Sequence, residues 1–589
     1  MRQFFKMLFA SMFGFIIGGI LLVFIVGGII TASLSSLADK KVATIEDKSV
    51  LHITLGYPIP ERTPNNPFAG IVGDADMVGL NDILANLKKA QSDPHIKGVL
   101  LEIMAVGGGW ATAEEIRNAV LDFKKSGKFV LAYSEIYTNG SYYIATAADK
   151  IYLNPTGEML FNGMFAQVHF FKKALDKLGI EMTAIKGPDN KYKSAVEPFL
   201  YDHMSAENRE QVEVYLNSLN NHMLETIAQS RKMEVADVRG IANELKIKSA
   251  ADAKNLKMVD ELWYKDQLLL ELNKRLGQGE KDKIHLVTMG KYANVGVAGS
   301  EPDGEGKIAI IYATGEINSG EGSDNSIGSD RISDAIRKAR NDDKVKAIVL
   351  RINSPGGSSL ASDIIWREVE LTRQQKKPIV VSMGDVAASG GYYIAAPADY
   401  IFAQANTITG SIGVFGLIPN YQKLMNDKLG ITSEGVKTGK YSDLGDMGRP
   451  MTAEEKTIYE SLVNKVYNDF VDRVAAGRKK TKAEVDNMAR GRVWTGEDAL
   501  KIGLVDKIGG IDDAIKKAAE LAKLKDYRIK VLPQMKNPLE KFLKNGTTDV
   551  KQSIIESELG EYATLYRTLK AMKTWKGVQA RMMFDVEIR

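Results

Sequence analysis

Two stretches of this chain carry nearly the same pattern about 250 residues apart. KGVLLEIMAVGGGW, from Lys97, matches KAIVLRINSPGGSS, from Lys346, at an offset of 249. LAYSEIYTNGSYYIATAADKIYL, from Leu131, matches VSMGDVAASGGYYIAAPADYIFA, from Val381, at an offset of 250. AADAKNLKMVDEL, from Ala250, is echoed by GEDALKIGLVDKI, from Gly496. A period of this length is too long for a solenoid and is that of a duplicated domain, so both halves should share one fold.

Each half alternates short β-rich apolar runs with helical periods. In the second half the runs predict strands over Ile308 to Tyr312, Ala347 to Ile352, Ile379 to Met383 and Tyr400 to Ala403, and helices near 329–341, 360–375 and 391–396. That order implies an α/β unit with mostly parallel strands and right-handed crossovers. Sites in such folds lie beyond the carboxyl ends of the strands. The Gly356-Gly357 loop and Ser389 each follow a strand end and should converge there. The expected layout is a first α/β repeat over 40–276, a Gly- and charge-rich linker over 277–306, a second repeat over 307–533, and a basic tail over 534–589 with helical patches.

Ahead of the repeats, residues 7–38 carry no charge and 7–32 are almost wholly apolar, beyond the roughly 20 residues that span a bilayer. This predicts one uncleaved transmembrane anchor. Arg2 and Lys6 precede it, so residues 1–6 should stay cytoplasmic and both repeats should lie across the membrane. A net charge of +4, with acidic and basic residues interspersed, gives no nucleic-acid footprint. Cysteine is absent, which excludes disulfides, thiolate nucleophiles and cysteine metal sites.

Ser389 stands at a strand-to-helix turn, AASGGYY, that lifts a hydroxyl clear of the sheet near the positive end of a helix dipole. It is not the Gly-x-Ser-x-Gly elbow, because position 387 is Ala. All six histidines lie at or before His285, with no zinc-type spacing, so hydrolytic chemistry at Ser389 points to lysine as proton acceptor. Comparison of the halves supplies a candidate. Ser389 corresponds to Asn139 and Ser411 to Phe161, whereas Lys193, in KYKSAVEPF, falls opposite Ser442. One half keeps an amine and the other the hydroxyls. Burial of Lys193 between packed domains would favour its neutral form, with Ser411 orienting the amine. Ala387, Ala388, Ile412, Gly413 and Val414 suggest an apolar, small-walled peptide pocket.

The duplication, the anchor, KYKSAVEPF (191–199), NSPGG (353–357), AASGGYYIA (387–395), TGSIGVFG (409–416) and GRVWTGEDALKIGLVD (491–506) together resemble the long form of the signal peptide peptidase A (protease IV) family. The resemblance spans about residues 40 to 530. It implies two tandem crotonase/Clp-protease-like repeats and a serine endopeptidase with a Ser389–Lys193 dyad. It further implies a Ser411 contact to the lysine, an oxyanion hole among the amides of Gly356, Gly357 and Gly390, and no metal or cofactor. As partners it implies hydrophobic peptides, chiefly remnant signal peptides, and a homotetramer on the outer side of the bacterial cytoplasmic membrane. Two other readings of the residues stay open, a crotonase-type acyl-CoA enzyme and a non-catalytic membrane scaffold.

Overall fold

The computed structural model describes residues 6–7, 11–21, 44–64, 77–104, 108–296, 306–536, 577–582 and 587–588. Of the expected anchor, residues 11–21 are helical with exposed side chains, and 8–10 and 22–32 lie outside the described residues. Among the described residues no helix is long and apolar enough to cross a membrane.

The first repeat forms a six-stranded sheet. Its order is Glu261–Leu262, Lys150–Met159, Phe129–Tyr137, Ile96–Ile103, Ser49–Leu55 and Leu286–Thr288, and every pairing is parallel. The second repeat reproduces its parallel core within a larger, eight-stranded sheet in which Val493–Thr495 pairs antiparallel with Ile408–Gly410. Val345–Ser354 lies between Gly306–Thr314 and Ile379–Ala388, parallel to both, with Tyr527–Leu532 at one edge. Nearly every residue of Val345–Ser354 is buried, as expected for a parallel strand covered on both faces. One face packs Ala309, Ile311, Ile348 and Leu350 against the helices Ser329–Asn341 and Ser359–Gln374. The other packs Ile308, Ile310, Ala347 and Val349 against the helix Ile511–Leu521.

Three expectations change. The strand predicted to end at Met383 runs on to Ala388, because the small residues after it keep pairing with Ile408–Gly410. The segment expected as a linker contributes Leu286–Thr288, which pairs with Val50 to His52, and the helix Met289–Ala293, so it belongs largely to the first repeat. The tail expected as helical lies mostly outside the described residues, and Gln579–Arg581 and Glu587–Ile588 within it are strands.

A third sheet belongs to neither repeat alone. It runs Gly322–Ser323, Ser326–Gly328, Glu316–Asn318, Gly356–Ser358, Gln579–Arg581, Phe415–Asn420 and Glu181–Lys186. Its last member comes from the first repeat and pairs antiparallel with Phe415–Asn420 over six residue pairs. This pairing carries the loop that follows Lys186 onto the second repeat.

The seam is also held by charge. Asp385 accepts from the Thr112 amide and hydroxyl, both at 2.7 Å, and so caps the first-repeat helix Trp110–Lys124, whose own N-cap is a glycine. Arg351, on the central strand of the second repeat, forms buried ion pairs with Glu61 at 2.9 Å and Glu115 at 2.7 Å. Two carboxylates share one guanidinium away from water, and burial pushes the Glu115 carboxyl up to about 7.

Candidate active site

The strand Ile379–Ala388 ends in a small-residue turn and the helix Gly390–Ala395 begins immediately after it. Ser389 sits between them with φ 54° and ψ −113° and makes no cap bond with its side chain. A non-glycine residue with positive φ carries local strain that the surrounding structure must hold. The holding bonds are the Ser389 amide to the Gly410 carbonyl at 2.8 Å and the Tyr393 amide to the Ser389 carbonyl at 2.8 Å. Ser411 also has a positive φ, 49°, and its amide donates to the Arg492 carbonyl at 2.7 Å.

Lys193 reaches this turn from the first repeat. The Gly187 amide and the Asn190 side-chain amide both donate to the Val414 carbonyl, and the Tyr192 amide donates to the Arg490 carbonyl, which lays the loop along the second repeat. Gly491, at φ +83°, lets it close, since a side-chain carbon there would lie 2.5 Å from the Lys193 nitrogen. The Lys193 Nζ then stands 2.9 Å from Ser389 Oγ, 3.0 Å from Ser411 Oγ and 3.0 Å from the Ser411 carbonyl oxygen. These side chains are dry, with relative exposures of 0% for Ser389, 1% for Lys193 and 2% for Ser411. Burial alone drives the Lys193 amine well below the ordinary lysine range.

A neutral amine has two N–H donors and one lone pair. The Ser411 carbonyl and hydroxyl oxygens can take the donors, which leaves the lone pair for the Ser389 O–H. Such an arrangement can draw a proton from a serine without an imidazole.

The other expected residues are close but differently employed. Ser442, the counterpart of Lys193, is exposed in a turn-rich loop far along the chain from the turn that holds Ser389. The Gly356 amide is within 3.1 Å of Ser354 Oγ and donates to it. A side-chain carbon at Gly356 would lie 2.7 Å from the Gly390 nitrogen, so these two glycines adjoin. Gly357 pairs with Ile317 on one side. Ile412 and Val414 are fully buried in the second-repeat core, so they wall the seam from inside. The Gly413 carbonyl lies 3.4 Å from Ser389 Oγ, a second and longer acceptor to which the hydroxyl can turn in place of the Lys193 amine. Sequence reasoning missed Asn190, Gly491 and Asp385. Each acts across the seam, and of them only Gly491 carried a signal, as the glycine opening the 491–506 motif.

The model of Peptidase family S49 matches residues 122–278 and 372–525, one segment in each repeat and more than half of the chain. The chain belongs to peptidase family S49. It is 36% identical to "Protease 4" of Haemophilus influenzae over 454 residues, covering 75% of this chain and 72% of that protein. It is also 36% identical to "Protease 4" of Salmonella typhi over 486 residues, covering 81% and 78%. Over 544 residues it is 34% identical to "Serine protease SPPA, chloroplastic" of Arabidopsis thaliana, covering 91% of this chain and 77% of that one. As a member of S49 the chain is a serine peptidase of α/β fold built from two tandem repeats. The site at Ser389 lies at the carboxyl end of a central strand, where α/β enzymes bind their substrates.

Proposed function

We propose that this S49 peptidase is a membrane-anchored endopeptidase in which Ser389 is the nucleophile and Lys193 the general base. The observation that carries the reading is the contact at 2.9 Å between a lysine amine and a serine hydroxyl in a seam closed to water. Lys193 takes the Ser389 proton as Oγ attacks the scissile carbonyl. The tetrahedral oxyanion is met by the amides of Gly390 and Gly357, since Ser354 Oγ already holds the Gly356 amide. Lys193 then returns the proton to the leaving amine, and the acyl-enzyme is hydrolysed by a water that the same amine deprotonates. Ser411 holds the amine in line through both of its oxygens. No cofactor takes part in this sequence.

The substrate proposed is an extended, hydrophobic peptide, and the apolar segment at 7–32 supports a site held beside a membrane, where remnant signal peptides arise. The orientation proposed keeps the N-terminus cytoplasmic and both repeats outside, in a homotetramer.

Ser389→Ala and Lys193→Ala should each abolish peptide cleavage by the purified full-length protein, and an acylating serine probe should label wild type at Ser389 alone. Turnover near the wild-type rate in either variant would overturn the dyad. Because the base must be uncharged, kcat/KM should be lost on the acid side, as pH falls through the depressed Lys193 pKa.

A further inference from the structure

Beside the turn that holds Ser389, a strand from this chain's own residues 577–582 is paired between two others. Gln579–Arg581 is a middle strand, antiparallel to Gly356–Ser358 on one side and to Phe415 on the other. Its register sets Gly356 opposite Arg581, Gly357 opposite Ala580 and Ser358 opposite Gln579. On its flanks, the Met582 amide donates to the Pro355 carbonyl at 2.8 Å, and the Ser359 hydroxyl donates to the Val578 carbonyl at 2.8 Å. Gln579, Ala580 and Arg581 are all buried.

The Ala580 carbonyl oxygen is pressed against Gly356 and Gly390, beside the amides proposed to meet the oxyanion. A side-chain carbon would lie 2.2 Å from it at Gly356 and 3.0 Å from it at Gly390. A peptide threaded between two strands with one carbonyl at that point lies as a substrate of the dyad would lie.

The next residue shows what the groove reads. Ile317 pairs in parallel with Gly357, so Glu316 falls level with Gly356, and Gly356 is level with Arg581. Glu316, Gly356 and Arg581 therefore form one row across three strands, and residues in one row project to the same face. Gly356 has no side chain, so the Arg581 side chain passes over it and its guanidinium pairs with the Glu316 carboxylate. The guanidinium side chain is 2% exposed and the carboxylate side chain 20%. A neutral side chain in that place would leave the carboxylate partly desolvated without a partner, and an acidic one would repel it.

We propose that Glu316 is a specificity-determining residue of the peptide groove. It selects lysine or arginine immediately after the residue whose carbonyl lies at Gly356 and Gly390, while the enclosed site of Ala580 selects a small residue there. The tail, which carries Ala580-Arg581, is a self-supplied ligand that incoming peptides must displace. The assignment rests on the reading of Ser389 as nucleophile, and its test separates the two.

Three fluorogenic peptides with a fixed sequence and a single alanine, followed by Arg, Gln or Glu, are offered to the full-length protein, and the cut bond is identified by mass spectrometry. Wild type should cut after the alanine with kcat/KM in the order Arg, Gln, Glu, and the Arg and Glu peptides should differ by about tenfold or more. Glu316→Lys should invert that order, and Glu316→Gln should flatten it, which a merely structural role would not do. Full-length Arg581→Gln should lower KM for all three peptides without changing their order, since the tail competes less well. Equal kcat/KM for the three peptides in wild type, or an unchanged order in Glu316→Lys, would overturn the assignment. Fluorescence anisotropy of the same peptides on Ser389→Ala reads the groove without chemistry. Tighter binding of the Arg peptide there upholds Glu316 even if Ser389→Ala were to retain turnover, a result that would remove the dyad alone.

Discussion

The turn at Asn139 and the turn at Ser389 are the same element in two states. In the first repeat Thr138 caps the helix at an ordinary φ of −93°, exchanging bonds with Ser141, and Asn139 lies inside the helix. The Asn139 side-chain amide donates to the Gly163 carbonyl at 2.8 Å, and Phe161 fills the place of Ser411. In the second repeat Ser389 is itself the cap, with φ 54° and no capping bond, and Ser411 is bent into the same positive-φ region. The supports beneath are unchanged. Tyr142 donates to the Met258 carbonyl and Tyr392 to the Leu504 carbonyl, while Arg231 pairs with Asp260 and Arg478 with Asp506. One turn is capped locally by Thr138 and Ser141. The other is held in strain by its neighbours and left with a free hydroxyl for the amine from across the seam. The scaffold is common property, and the two copies differ in a few residues of its least regular part.

Four perturbations would break or sharpen this contrast. The largest effect is expected from Ser389→Asn, which installs the first repeat's residue. Peptide turnover should fall by about 10⁴-fold or more, read as kcat/KM, and retention of activity would show that the turns are not divided as described. Next is Lys193→Met. The folded-state pKa of Lys193 lies below its unfolded value, so between the two the unfolded chain binds one more proton and stability falls as the pH falls. Removing the buried amine should therefore raise stability at neutral pH by about 1–4 kcal/mol in thermal unfolding, although activity is lost.

Glu115→Gln tests the seam. The raised Glu115 pKa gives stability that is full below about 4.5 and lost as the pH rises through about 7. The variant should lack that loss between pH 5 and 8, on the order of 2 kcal/mol, when melting is followed across this range. The smallest effect belongs to Thr138→Ala, which removes the cap of the first repeat's turn. It should cost about 1 kcal/mol of stability and leave kcat unchanged, and a fall in kcat would show that the first turn takes part in catalysis.

Much of the fold was legible because parallel strands covered on both faces read as unbroken apolar runs. Ala347 to Ile352 and Tyr400 to Ala403 lie within or match the observed strands Val345–Ser354 and Tyr400–Ala403. The end of the strand at Ala388 was not, since Val386, Ala387 and Ala388 look like a turn until their partners in Ile408–Gly410 are known. The tail strand was opaque for the same reason. Nothing local in GVQARMM asks for a strand, and its backbone bonds come from Gly356–Ser358 and Phe415, more than 160 residues away in sequence.

The sequence by itself determined that the chain is a duplicated α/β protein, and that an amine and two hydroxyls were divided between the copies, because duplication leaves a residue-by-residue comparison within one chain. Only the tertiary structure decided that they meet. The strand Glu181–Lys186 joins Phe415–Asn420, Gly491 admits the Lys193 loop, and water is excluded around three polar groups. Distance and dryness are properties of packing between segments far apart in the chain, and no local pattern of residues encodes them.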